Sequence, residues 1–185
     1  MLISDRTLSG LYDVRFNPAI DHRGYLAKLY DAVPFQKAGI DVKWRQIIMQ
    51  HTERRNTLKG LHIQNAPFTE AKLITPIKGL VLWVSVDLRK ESATFLRHEK
   101  AVLEPGGAAL FAARGFAHGC LHLTDDTLIL IAADNDYSEG HGVGIAWNDL
   151  EIGIDWPLAD GSPVIMKGEH RDNPSFAVAR KKLQL

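Results

Sequence analysis

Two histidines, each close to a glycine, mark the part of the sequence with the clearest chemical potential. His62 and His118 lie in segments typical of strand ends, where a nearby glycine lets a ligand approach the backbone closely. On a strand, alternate side chains share a face, so His62 and Gln64 point into one space while Lys59 points to the opposite side. Lys72, on the next predicted strand, supplies a cation nearby. This combination indicates a β barrel with a polar lumen, although a lone histidine is more often structural.

Other chemistries find little support in the sequence. His118 and His122 are four residues apart, a spacing that aligns two metal ligands on a helix but separates them by about 13 Å on a strand. His62 is followed by Gln64 rather than by a second histidine, so the His-x-His pattern of metal-dependent cupin oxygenases does not occur. Cys120 lies in an apolar run, where a cysteine usually behaves as a small hydrophobe. The sequence therefore predicts a site without a metal ion.

Short strands, separated by turns about every ten residues, are the elements predicted to position these side chains. Strands are predicted at 71–77, 80–88, 95–103, 108–112, 119–123 and 127–132. Residues 124–126 are predicted to form a hairpin turn between the last two of them. Residues 31–39 have an acidic start, an early proline and a final glycine, which predict a short helix. The whole pattern predicts an all-β sandwich or barrel with one or two short peripheral helices.

Composition restricts the functional classes. The chain has 185 residues, 45% hydrophobic and 24% charged, which predicts one domain over residues 1–185 with a peripheral tail at about 177–185. Its 22 basic and 22 acidic residues give a net charge of +0, so bulk binding of nucleic acid or of an anionic membrane is not supported. A single cysteine fits a reducing cytoplasm. The charged N-terminus does not resemble a signal peptide, and no apolar stretch is long enough to span a membrane.

Six motifs, in order over roughly residues 10–176, resemble the dTDP-4-dehydrorhamnose 3,5-epimerase family. They are DHRGY at 21–25, TLKGLHIQ at 57–64, EAKL at 70–73, VDLR at 86–89, GFAHG at 115–119, and WND at 147–149 with GIDWP at 153–157. The resemblance implies a cupin-like jelly-roll barrel, usually a homodimer that exchanges N-terminal strands, with no metal and no organic cofactor. It also implies a nucleotide-sugar substrate, a 4-keto-6-deoxyhexose attached to a nucleoside diphosphate.

The resemblance assigns catalytic roles to three positions. The keto group of such a substrate acidifies the protons at C3 and C5, so that a base removes one, an enolate forms, and an acid returns a proton from the opposite face. His62 matches the base, and Lys72 matches the lysine that stabilises the enolate oxygen. Glu169 matches the acidic residue that orients the base when the late segment is aligned from the left. Alignment from the right places His170 there instead.

Other matching positions concern substrate binding. Lys59 stands where the family usually has an arginine near the diphosphate, so the charge is kept but the bidentate fork is lost. Four further residues complete the predicted binding set: Arg23 and Gln46, which match nucleotide contacts, His118, which matches a second lumen histidine, and Gln64, which shares the face of His62.

Departures from the family affect the reaction itself. Ile131 occupies the position of the general-acid tyrosine, and isoleucine cannot donate a proton. Water or another side chain must then supply the proton; His122, on the preceding strand, is one candidate and is also a predicted substrate contact. Lys28 and Arg114 stand where acidic residues are common, which predicts a more basic pocket. The sequence leaves open a 3,5-epimerase, a single-centre epimerase or keto-isomerase, and a catalytically silent cupin that binds a sugar nucleotide.

Overall fold

The computed structural model describes residues 1–158, 164–183 and 185. Its strands are β1 (Leu2–Asp5), β2 (Leu11–Arg15), β3 (Ala19–Asp21), β4 (Gly24–Leu26), β5 (Gln46–Thr52), β6 (Leu58–Gln64), β7 (Lys72–Lys78), β8 (Val81–Asp87), β9 (His98–Leu103), β10 (Ala108–Ala112), β11 (Phe116–His122), β12 (Thr127–Ala133) and β13 (Gly142–Gly144). The helices are α1 (Ala32–Lys37), α2 (Gly168–Arg171) and α3 (Phe176–Leu183).

The strands form two antiparallel sheets that pack face to face. One sheet has the order β1-β2-β10-β7-β12-β5, and the other has the order β13-β6-β11-β8-β9. A cluster of buried side chains between them draws on both sheets, with Ile74 and Ile131 from the first and Trp83 and Cys120 from the second. A separate two-stranded hairpin, β3–β4, stands outside both sheets with all its residues exposed.

The central strands of the five-stranded sheet are covered on both faces. Every residue of β8 and of β11 is buried. Their outward side chains pack against the C-terminal part of the chain, which contributes Trp156 and Phe176 to a second buried cluster with Val84 and Leu121. Continuous apolar runs are typical of strands covered in this way, whereas β12 alternates buried and partly buried residues. The five-stranded sheet is therefore buried on both faces at β8 and β11.

The predicted hairpin at 124–126 is wrong. β11 and β12 do not pair, because they lie in different sheets. Both edges of β11 are already occupied, by β6 and β8, and both edges of β12 are occupied by β5 and β7. The connection therefore crosses from one sheet to the other. A turn signal marks where a strand ends but does not reveal which sheet the next strand joins.

The short helix predicted at 31–39 is confirmed as α1. The side chain of Asp31 caps it by accepting a hydrogen bond from the backbone N–H of Val33, and Gly39 follows it with a φ of +75°. The C-terminal tail forms α3, which buries Phe176 and Ala179 and leaves its basic residues exposed. No helix in the described part of the chain is long and apolar enough to cross a membrane.

Candidate active site between the sheets

A cavity of about 430 Å³ lies between the two sheets. β5, β7 and β12 supply side chains on one wall, β6, β8 and β11 supply those on the other, and α2 borders the cavity. Seven of the nine predicted site residues line it: Gln46, Lys59, His62, Gln64, Lys72, His118 and Glu169. Arg23 and His122 do not. The described residues contain no group of three or more side chains arranged to hold a metal ion.

A second cavity, of about 520 Å³, lies on the outer side of the six-stranded sheet beside the segment that precedes β5. No histidine occurs among the described residues that line it, and its Arg114 is paired with Asp134 through a hydrogen bond of 3.0 Å. Lys28 is exposed and pairs with Asp31 at 3.0 Å. Neither basic residue lines the cavity between the sheets of its own chain, so the predicted increase in its positive charge does not arise from them.

A β-bulge at Gly60 brings two reactive side chains to one wall. Gly60 has a φ of +91°, and a Cβ there would collide with the backbone oxygen of His118. His118 faces His62 across the β6–β11 pair while Gly119 faces Gly60, so Leu61 is an extra residue on β6. Lys59 and His62 consequently both line the cavity. Strict alternation along the strand predicted opposite faces for them, and that prediction is wrong.

His62 is a neutral base. Enclosure by the barrel walls lowers the pKa of its imidazole to about 4, and the charge of Lys72 and the ring of His170 lower it further in the same direction. Its side chain is nevertheless exposed to the open cavity, so a ligand can reach the ring. Near pH 7 the ring therefore carries a free lone pair that can accept a proton.

Lys72 carries a positive charge close to both histidines. Its ammonium is paired with the carboxylate of Glu70, and the two side chains are 9% and 10% exposed. Lys72 lines the same cavity as His62 and His118, and its charge lowers the pKa of both rings. A buried cation at this point can stabilise negative charge that develops on a bound ligand.

Two polar side chains, those of Trp83 and Ser85, contact Nδ1 of His118. Its Nδ1 accepts a hydrogen bond of 3.2 Å from Nε1 of Trp83 and lies 3.3 Å from Oγ of Ser85. Its Nε2 is buried and has no hydrogen-bond partner among the described residues. Leaving such a group unpaired costs about 1–3 kcal/mol. Burial, with Lys72 and His62 nearby, holds the pKa of His118 well below its ordinary value.

Lys59 is held by a chain of hydrogen bonds that runs through Thr52, His122 and Thr127. Its Nζ donates a hydrogen bond of 2.7 Å to Oγ1 of Thr52, and that oxygen lies 3.2 Å from Nε2 of His122. Nδ1 of His122 lies 2.5 Å from Oγ1 of Thr127, which donates to the carbonyl of Thr52. Both ring nitrogens of His122 are thus engaged. The structure therefore does not present it to a substrate, contrary to the prediction.

The two predicted glutamines have different surroundings. Gln46 lines the cavity on β5. Gln64 is buried, and its amide group joins the β6–β7 connection to the loop after β12: Nε2 donates to the carbonyls of Phe68 and Asp136, and Oε1 accepts from the backbone N–H of Ser138. Its hydrogen-bonding groups are therefore committed within the protein.

Glu169 and His170, the two alternatives for the residue that orients the base, both lie on α2 at the cavity. The carboxylate of Glu169 accepts a hydrogen bond of 2.6 Å from Lys167, and its side chain is 74% exposed. The half-buried ring of His170 has its Nδ1 3.5 Å from the backbone N–H of Gly60. Neither side chain hydrogen-bonds to His62 in the described part of the chain. Glu169 borders the cavity without orienting the base in this arrangement.

On the wall formed by β5, β7 and β12, Ile131 occupies the position that the resemblance aligns with the general-acid tyrosine. Ile131 is 8% exposed and pairs with Ile48, and both side chains line the cavity. Arg23 lies elsewhere, on the tight turn between β3 and β4, with its side chain 78% exposed and paired with Asp21 at 2.6 Å. Within one chain, Arg23 is therefore not part of this site.

Several lining residues were not predicted. Glu70, Trp83, Cys120 and Tyr137 belong to the cavity wall. The motif EAKL already placed Glu70 two residues before Lys72, a spacing that puts both on one face of a strand. Trp83 gave no such signal, because one large side chain in an apolar run is indistinguishable by sequence from a core residue.

Comparison with known proteins places this chain in a family. The family model of dTDP-4-dehydrorhamnose 3,5-epimerase matches residues 5–177. A curated protein of that description from Sinorhizobium fredii is 36% identical over 138 residues, which cover 74% of this chain and 71% of the relative. One from Methanothermobacter thermautotrophicus is 33% identical over 153 residues, 82% of each chain.

Solved structures of related proteins support the same family and show the same fold. A crystal structure of dTDP-4-dehydrorhamnose 3,5-epimerase from Elizabethkingia anophelis superposes with a TM-score of 0.90 at 27% identity and covers 96% of this chain and 97% of its own. ChmJ, a 3'-monoepimerase from Streptomyces bikiniensis in complex with dTDP-quinovose, gives 0.86 at 25% identity, with 97% and 90% covered. The resemblance and the cupin-like jelly-roll fold predicted from the motifs are thereby confirmed.

Proposed function

The chain belongs to the dTDP-4-dehydrorhamnose 3,5-epimerase family, and we propose that its cavity epimerises a 4-keto-6-deoxy sugar linked to a nucleoside diphosphate. The observation that carries the proposal is that a neutral imidazole, His62, and the buried ammonium of Lys72 line one cavity. Relatives with the same fold are named for epimerisation at two centres or at one.

Proton removal is the first step. His62 takes the proton from the carbon beside the keto group, and the electron pair of that C–H bond forms the carbon–carbon double bond of an enolate. The negative charge that reaches the keto oxygen is stabilised by Lys72, which needs no reorganisation because Glu70 already fixes it. A low pKa at His62 keeps the base ready across the neutral range.

The nucleotide end of the ligand is assigned to Lys59 and Gln46. No carboxylate pairs with Lys59 in the described part of the chain, so its charge is available to an anion such as a diphosphate. The desolvation that lowers the pKa of this amine also strengthens its attraction for such an anion. Lysine holds phosphate as a point charge rather than by a fork, which gives looser orientation than arginine.

Inversion needs a proton donor on the face opposite His62. At the position aligned with the family's tyrosine, Ile131 beside Ile48 donates nothing, and the only phenol in the described lining is that of Tyr137, an exposed residue after β12. We therefore infer that the enzyme inverts a single centre, or inverts slowly with a proton from solvent. A catalytically silent binding protein is the second candidate, favoured by Ile131 and by the absence of a hydrogen bond from Glu169 to His62 in the described residues.

A homodimer would complete the site. The β3–β4 hairpin exposes three large apolar side chains, Ile20, Tyr25 and Leu26, at 77%, 77% and 78%. Arg23, on the same hairpin, cannot serve its own cavity but can enter that of a second copy. β5 also lies at a sheet edge, and it exposes Ile47 and Met49. We expect sedimentation velocity to show a dimer that Tyr25→Asp disrupts.

The unpaired, buried cysteine is consistent with a cytoplasmic location.

The decisive experiment is proton exchange. The protein is incubated with dTDP-4-keto-6-deoxyglucose in deuterated water, and C3 and C5 are followed by NMR. Exchange with inversion at one carbon supports the proposal, and inversion at both carbons shows that a donor acts despite Ile131. Binding without exchange identifies the silent candidate. His62→Asn should abolish exchange, whereas His51→Asn, a change at an exposed histidine paired with Asp126, should leave it intact.

A further inference from the structure

The hydrogen bond between Trp83 and His118 determines which nitrogen of the histidine carries a proton. An indole N–H can only donate, so Nδ1 of His118 must accept and cannot itself be protonated. A neutral imidazole has one N–H, which is therefore at Nε2. In most histidines the tautomer has to be assumed, but here the chemistry of Trp83 fixes it.

The Nε2–H group so defined is buried without a partner among the described residues. His118 is 1% exposed and forms part of the cavity wall, directly across the strand pair from His62. Lys72 lines the same cavity as both histidines, and its charge acts on both rings. An N–H donor is thus held beside the base and the cation, with its other nitrogen already occupied.

We propose that Trp83 is a positioning residue of the reaction, which locks His118 as the Nε2–H tautomer so that this N–H donates to the oxygen of the substrate's keto group. The inference rests on the proposed function and deepens it. His118 then shares with Lys72 the stabilisation of one oxygen: Lys72 supplies charge, and His118 supplies a directed neutral donor.

The proton balance explains why a neutral donor suits this position. When His62 removes the carbon-bound proton, the electron pair moves through the new carbon–carbon double bond and the oxygen becomes negative. The N–H of His118 strengthens its hydrogen bond to that oxygen but keeps its proton, so the enolate is available for reprotonation at carbon. The low pKa of His118 agrees with this role, because an imidazolium would readily protonate the oxygen and trap the enol.

The tautomer can be tested without any substrate. Long-range proton–nitrogen correlation spectra of protein labelled with ¹⁵N-histidine distinguish protonated from unprotonated ring nitrogens, and the signals of His118 are identified by their loss in His118→Gln. We expect Nε2–H with a bare Nδ1 in the wild type, and a second, Nδ1–H species in Trp83→Phe. Trp44→Phe is the matched control, because Nε1 of Trp44 is also buried but has no partner in the described residues. A wild-type ring protonated at Nδ1, or a Trp83→Phe ring unchanged from the wild type, overturns the proposal.

Kinetics then test the donor. His118→Leu should lower kcat by about 100-fold with little change in KM, as loss of an oxyanion donor does. His118→Gln keeps an N–H near the same position and should recover part of that loss, and Trp83→Phe should lower kcat by about fivefold. Trp44→Phe should retain wild-type kcat. Equal losses in His118→Leu and His118→Gln, or a loss confined to KM, overturn the role of the donor. If no exchange occurs even in the wild type, the proposed function fails while the tautomer result still stands.

Discussion

His122 should make the protein markedly less stable in mild acid. Burial, together with the nearby charge of Lys59, lowers its pKa from 6.5 to about 4. The groups that face it are Thr52 and Gln50 from β5, Thr127 from β12 and Cys120 on its own strand. None of these can compensate a positive charge, so protonation is opposed in the folded state and free in the unfolded chain.

The size of the effect follows from the two pKa values. Between pH 6.5 and about 4 the unfolded chain holds the proton and the folded protein does not, so stability falls as the pH falls through that window. At pH 5 an ordinary histidine is almost fully protonated, whereas one with a pKa of about 4 is roughly one-tenth protonated. From pH 7 to pH 5 this single residue should therefore remove about 2 kcal/mol of unfolding free energy.

Urea unfolding at pH 7 and pH 5, in the wild type and in His122→Gln, measures this term. The quantity compared is the change between the two pH values within each protein, so a general loss of stability in the variant cancels. We expect the wild type to lose about 2 kcal/mol more than the variant, because the other histidines titrate in both. Equal losses in the two proteins would refute a neutral, buried His122.

Three further outcomes follow from the site. Ile131→Tyr should introduce a proton donor on the wall formed by β5, β7 and β12 and raise the rate of inversion by about 100-fold relative to exchange, as measured by NMR in deuterated water, and unchanged rates would contradict the assignment of that position. Thr52→Val removes the acceptor that holds Lys59 and should raise KM for the nucleotide sugar by about fivefold without lowering kcat, whereas Thr75→Val, at another buried threonine, should not. Because protonation inactivates the base, kcat/KM should stay level from pH 8 down to pH 5.5 and fall towards pH 4, and Lys72→Met should move that fall to higher pH.

The sequence predicted the fold class because alternation, turns and ordered motifs all agreed with it. Turn residues marked the strand ends, yet they could not show that β11 and β12 join different sheets, since a crossing and a hairpin begin with the same local signals. The sequence motifs pointed to His62 and Lys72, whose proposed roles depend on the chemistry of their own side chains. They did not point to Trp83, because the role proposed for it depends on a partner 35 positions away in the sequence.

Lys59 and His122 show why the alternation of side chains along a strand did not predict their surroundings. One extra residue at Leu61, permitted by the backbone of Gly60, turns Lys59 into the cavity. His122 remains on a regular part of β11 and faces inward, but the hydroxyls of Thr52 and Thr127 occupy both of its ring nitrogens. Periodicity specified a direction for each side chain, and only the pairing of strands specified what each one meets.

Most of the groups that the proposed reaction needs lie on one wall of the cavity. In the proposed reaction, the wall that carries His62, His118 and Lys59 removes a proton and binds the oxygen and the phosphate end of the substrate. The other wall carries Lys72 and Glu70 with two glutamines and two isoleucines. A base can return a proton only to the face from which it took it, so these groups complete exchange with retention more readily than inversion. Inversion at any centre must draw its proton past Ile131 from solvent or from a residue at the mouth. In the proposed reaction, the identity of one side chain on β12 therefore makes proton exchange faster than epimerisation, whereas a tyrosine at that position would couple the two steps.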